Sequence, residues 1–170
     1  MTLPALLRAA FAASLLAPLV ACSSSESPGS SSSALGTGGS APSICSTDPR
    51  AQVYAAGLSG KSSDGTITVT WVDADPSPPE KSSDNVFTIR VDDASGKPMS
   101  GATVSLGSFM PDHNHGSPTT PLVQAGSAPG EYVIQPVYLF MPGILQETFT
   151  VQSSGSAAKE EVVFTFCVDG

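Results

Sequence analysis

Apolar side chains in this chain recur at every second position, in short runs broken by Gly, Pro and Asp, and no helical stripe persists for three turns. Successive side chains leave a strand on opposite sides, so this period marks strands with one buried face. Thr66-Ile67-Thr68-Val69-Thr70-Trp71-Val72 sets Ile67, Val69 and Trp71 on one face. Val86 to Val91 repeats the pattern, with Phe87, Ile89 and Val91 inward and Thr88 and Arg90 outward. Ala102, Val104 and Leu106 continue it, and Tyr132 to Phe140, Thr148 to Val151 and Val162 to Val168 supply three more strands, with Tyr54 in an opening one. Asp75-Pro76-Ser77-Pro78-Pro79 can join neither ladder nor helix and must be loop, and Asp93 to Pro98 is a turn. Gly and Pro make up about 18 % of the 170 residues, a balance that favours turns over helices. The expected fold is all-β, an immunoglobulin-like β-sandwich of about seven strands.

Only part of the chain can take that fold. Residues 1–21 read as a secretion signal: Arg8 precedes an apolar run from Ala9 to Val20 that Pro18 interrupts and that is too short for a permanent span. The run ends in Leu19-Val20-Ala21-Cys22, which resembles the lipobox of bacterial lipoproteins. That resemblance implies lipidation of Cys22, with several acyl chains anchoring the protein to a bacterial membrane. Ser23, where Asp would signal retention, favours the outer membrane over the inner. Residues 22–44 form a tether: ten of the 21 residues from Ser23 to Ser43 are Ser and four are Gly, too polar to offset the entropy of ordering. Residues 45–170 are the folded domain.

With Cys22 assigned to lipid, Cys45 and Cys167 remain, one at each end of that domain. In an oxidising compartment the simplest use is a disulfide between them. The competing use makes Cys167 a thiolate metal ligand, although no second Cys or His lies near it in sequence.

Charge excludes one large class of partner. Seven Lys and Arg face fifteen Asp and Glu, a formal charge of −8. Such a chain cannot neutralise a phosphate backbone, which rules against nucleic acid and favours a basic or cation-bearing partner. Catalysis finds no support either. No distinctive Ser lies near a His, no carboxylate pair suggests acid–base work, and no Gly-rich loop opens a helix to cradle phosphate. The expectation is a protein that is not an enzyme.

One octapeptide carries chemistry, Phe109-Met110-Pro111-Asp112-His113-Asn114-His115-Gly116, which holds both histidines of the chain. On an extended segment His113 and His115 project to the same side, so both imidazoles can face one centre. Met110 adds a soft thioether, and thioether with imidazole suits copper, Cu(I) above all. Leu139-Phe140-Met141-Pro142-Gly143 repeats the Phe-Met-Pro order, and Met141 is a candidate fourth ligand if the two segments are neighbours. Asp112 reads either as a hydrogen-bond partner behind an imidazole or as a solvated charge. The whole string also reads as a polar loop, with Asp112 and Asn114 satisfying backbone donors, or as a contact for a partner.

Several segments together resemble the FixH/YtkA-like domain group: Val91-Asp92-Asp93 to Gly96-Lys97-Pro98, Gly101-Ala102-Thr103-Val104, Met110-Pro111 to His115, Gly130-Glu131-Tyr132 and Met141-Pro142-Gly143. The resemblance covers roughly residues 85 to 152. It implies a small exported β-sandwich with a Met/His segment between two strands, associated with copper handling or oxidase assembly. One departure stands out, since Ile144-Leu145 follows Met141-Pro142-Gly143 where the pattern has Trp.

The leading expectation is therefore a lipid-anchored envelope domain, in the periplasm or at the cell surface. It binds copper through Met110, His113, His115 and Met141 for storage or for delivery to a copper-accepting envelope protein. The alternative is an interaction or scaffolding module of the cell envelope without a metal.

Overall fold

The computed structural model describes residues 43–45 and 47–170; Cys22, the signal segment and most of the tether lie outside the described residues. Nine strands occur among the described residues: β1 (Ser59–Lys61), β2 (Ile67–Asp75), β3 (Ser82–Asp93), β4 (Thr103–Met110), β5 (His115–Gly116), β6 (Leu122–Ala125), β7 (Glu131–Leu139), β8 (Gly143–Gln152) and β9 (Glu160–Val168). They form a five-stranded sheet in the order β1-β2-β3-β7-β6 and a four-stranded sheet in the order β5-β4-β8-β9. All pairings are antiparallel. This is the expected all-β sandwich. The strands beyond the expected seven are short edge pieces whose two to four residues carry too little alternation to read. Tyr54 is in no strand; the opening strand is β1.

Alternation builds the core as the sequence suggests. Trp71 is fully buried at its centre, its ring edge-on to Phe87 at 4.8 Å, Phe166 at 5.2 Å, Tyr54 at 5.4 Å, Phe149 at 5.5 Å and Phe164 at 5.8 Å. Edge-to-face contact sets the positive ring edge against the negative face of its neighbour. A bulge between Trp71 and Asp73 then shifts the phase of β2, so that Ala74 rather than Asp73 faces inward. Glu80, which follows the Pro76–Pro79 loop, is held by Asn85, which is fully buried. Its Nδ2 donates to the carbonyls of Glu80 at 3.1 Å and Val137 at 3.2 Å, and its Oδ1 accepts from the Glu80 N–H at 3.1 Å.

The chain changes sheets between β3 and β4, and Tyr132 fixes the crossing. Its hydroxyl donates to the Met99 carbonyl at 2.6 Å and accepts from the Ala102 N–H at 2.9 Å. Gly130 makes the approach possible, with a φ of +76° and a Cβ position only 2.8 Å from both the Val91 oxygen and Pro98 Cβ. Gly130→Ala combines left-handed strain with a backbone clash, and we expect it to cost about 2 kcal/mol or more. Chemical denaturation of the two proteins reads the difference directly.

Candidate metal site

The Met/His segment is a hairpin, not an extended run. β4 ends at Met110 and β5 begins at His115, and these two residues are direct partners across the ladder. Pro111 to Asn114 make the turn between them, closed by the His113 N–H donating to the Met110 carbonyl at 3.2 Å, with Asn114 at a φ of 53°. Asn tolerates that left-handed conformation better than most residues because its short side chain bonds locally. The expectation that both imidazoles align by strand alternation is thus corrected. His113 stands exposed on the turn and His115 half-buried on the strand, and turn geometry brings their rings to 5.8 Å, centroid to centroid, at 44°.

Met110 closes the inner end of the site. It is 2 % exposed, so its thioether belongs to the edge of the core. Gly143, the first residue of β8, marks where Met110 and His113 converge. A Cβ there would lie 3.2 Å from the Met110 methyl and 4.0 Å from His113 Nε2. With a φ of 134° and no Cβ, Gly143 lets the Met110 methyl and His113 Nε2 approach its backbone more closely than a side chain there would allow.

The second Phe-Met-Pro phrase does reach this region, though through its first residue. The Phe140 ring stacks on His115 at 5.5 Å and 22° and neighbours Tyr138 at 5.6 Å. Met141 is half-buried and packs against the hydrophobic core. The structure thus brings Met110 and His113 to Gly143, sets His115 beside His113, and packs Met141 against the core two residues away.

Of the two expectations for Asp112, the solvated charge is the one the structure supports, with a partner the sequence did not show. It makes no hydrogen bond to an imidazole; half-exposed, it pairs with Arg50, both its oxygens accepting, Nη1 to Oδ1 at 2.7 Å and Nη2 to Oδ2 at 2.8 Å. The guanidinium holds its carboxyl below the usual carboxylate range. Arg50 is 62 residues away in sequence, and no local pattern points to it.

Glu147 is the second residue that sequence reasoning missed. It projects into the sandwich, 2 % exposed, between its ladder partners Ser108 on β4 and Phe164 on β9. Burial pushes its carboxyl up to about 7, although Ser108 Oγ donates to Oε2 at 2.6 Å and favours the charged form. A signal was present, because Glu147 is in phase with Phe149 and Val151.

Among the described residues no three His, Cys, Asp or Glu side chains cluster to hold a metal. Cys167 is no thiolate ligand, being bonded to Cys45 in a disulfide with a Cα–Cα distance of 5.3 Å. The donors at the hairpin are two imidazoles and a thioether, a soft set that fits a soft ion better than zinc or a hard cation.

Residues 61–152, over half of the chain, match the YtkA-like family. The chain belongs to that family. No curated protein matches it. Two solved structures are similar, both of FetP from uropathogenic E. coli strain F11. The as-isolated protein, recombinantly expressed in the E. coli periplasm, is 14 % identical, with 69 % of this chain and 96 % of that one covered at a TM-score of 0.47. A copper-bound variant of FetP is 13 % identical, covering 69 % and 97 % at a TM-score of 0.45. The YtkA-like match contains Met110, His113, His115, Met141, Gly143 and Glu147. It leaves out Arg50, the cysteine pair and β9.

Proposed function

We propose that this YtkA-like domain binds copper, as Cu(I), through Met110, His113 and His115, with Met141 as the fourth donor. One observation carries the reading: the Met110 methyl and His113 Nε2 both come up against Gly143, with the His115 ring beside His113. A d¹⁰ ion with no demand for carboxylates suits two imidazoles and thioethers, and the aromatic cover from Phe140 shields one side from water. Holding an ion and passing it on needs no catalytic group, and we assign the protein storage or delivery rather than enzymatic turnover. Lipid attached at Cys22 would keep the domain at a bacterial membrane, the outer one by preference. The domain would then meet a copper-accepting protein in the periplasm or at the cell surface.

The test is a Cu(I) titration of the oxidised protein against a chromogenic chelator, beside the His113→Ala/His115→Ala double variant. One equivalent held by the wild type, with affinity lowered at least about a hundredfold in the variant, is the expected result. Both histidines lie outside the buried core, so the melting temperature should scarcely move. Equal binding by the two proteins would overturn the assignment and favour an envelope interaction module.

A further inference from the structure

The segment before β1 is a strap fastened along the edge of β9. Ser43 Oγ donates to the Asp169 carboxylate at 2.6 Å, Cys45 is disulfide-bonded to Cys167, and the Gln52 N–H donates to the Thr165 carbonyl at 2.7 Å. The Thr165 N–H returns a bond to Gln52 Oε1 at 2.9 Å. Arg50 lies between these fastenings. Asp48 holds one side of its guanidinium, accepting from Nη2 at 2.7 Å and from Nε at 3.0 Å. That leaves the other side presented, already oriented, to Asp112. Asp112 is the residue immediately before His113.

A turn that carries a ligand must be ordered when the metal binds, and whatever orders it beforehand raises affinity. A two-toothed Arg–carboxylate pair fixes direction as well as distance, which a single charge does not. We propose that Arg50 is a positioning residue for the copper site. Through Asp112 it holds the Pro111–Asn114 turn so that His113 Nε2 faces Gly143. The inference rests on the copper reading above and extends it to a segment outside the family match.

Arg50→Ala, Asp112→Ala and the double variant, compared with wild type by chelator competition, test the proposal. Both positions are exposed, so all four proteins should fold. Each single variant should bind Cu(I) about fivefold more weakly, and the double variant no more weakly than either single. Unchanged affinity in the single variants, or a loss in the double equal to the product of the two, would overturn it. A second readout needs no metal. In the apo protein, Arg50→Ala should shift or broaden the backbone amide signals of His113 and Asn114 and leave those of Val69 and Ile89 in the core unmoved. If the wild type binds no copper, the copper reading fails on its own. The assignment of Arg50 to a copper site falls with it, whereas unmoved His113 and Asn114 signals in a wild type that does bind copper refute positioning by Arg50 alone.

Discussion

Raising the pH from about 5 to 8 should cost the wild type about 3 kcal/mol of folding stability through Glu147, and Glu147→Gln should remove most of that loss. The carboxyl titrates at 4.5 in the unfolded chain and at about 7 in the folded one. Below 4.5 both states are protonated and the buried group is neutral. Between 4.5 and about 7 the folded state keeps a proton that the unfolded state has released, so stability falls steadily as pH rises. Above that window both states are charged and the slope vanishes. The cause is desolvation, because a carboxylate between Ser108 and Phe164 has one hydrogen bond from Ser108 Oγ against the loss of bulk water. Carboxyls lowered in the folded state act elsewhere. Asp64, brought to about 2 by hydrogen bonds from Thr66 and Ser62, contributes stability that is lost only as pH falls below its unfolded value of 3.8. Urea denaturation of both proteins at several pH values separates the two windows. Gln at this position should be slightly worse at pH 5, where it buries an amide N–H pair, and clearly better at pH 8. Parallel pH profiles for the two proteins would show that Glu147 is solvated after all.

The other large effect is expected at the cysteine pair. The Cys45–Cys167 bond closes a loop with a sequence separation of 122, and the chain-entropy argument then gives about 5 kcal/mol. Cys45→Ser/Cys167→Ser should therefore lower the melting temperature by about 15 °C. A loss of this size requires that the bond restrain the whole unfolded chain. A drop of only a few degrees would mean that it secures the strap alone, with residues 43–54 peeling from β9 while the sandwich stays folded. Hydrogen exchange at Gln52 and Thr165, which bond each other across the strap, distinguishes the two outcomes.

Much of this molecule was legible because its information is local. Alternation at Ile67, Val69 and Trp71, or at Phe87, Ile89 and Val91, states which face of a strand avoids water without reference to the rest of the chain. The Pro76–Pro79 loop and the Asp93–Pro98 turn follow from the backbone chemistry of single residues. Two histidines and a methionine within six residues announce the site in the same way.

What only the tertiary structure decided is everything that depends on register and on distant partners. The bulge in β2 that turns Asp73 outward is a property of the β2–β3 pairing. Met110 and His115 are opposed because the hairpin turns after four residues, and that turn, not strand alternation, is what brings the imidazoles together. Phe140 reaches His115 because the chain crosses between sheets there. Arg50 finds Asp112 because a disulfide and β9 carry the strap past the hairpin, across 62 residues that hold no trace of the pair. Glu147 lies between these cases. Its phase was written in the sequence, but its burial was decided by a second sheet covering that face. Side-chain direction is set by the backbone of a few neighbours, whereas contact and solvation are set by whatever the rest of the fold brings near.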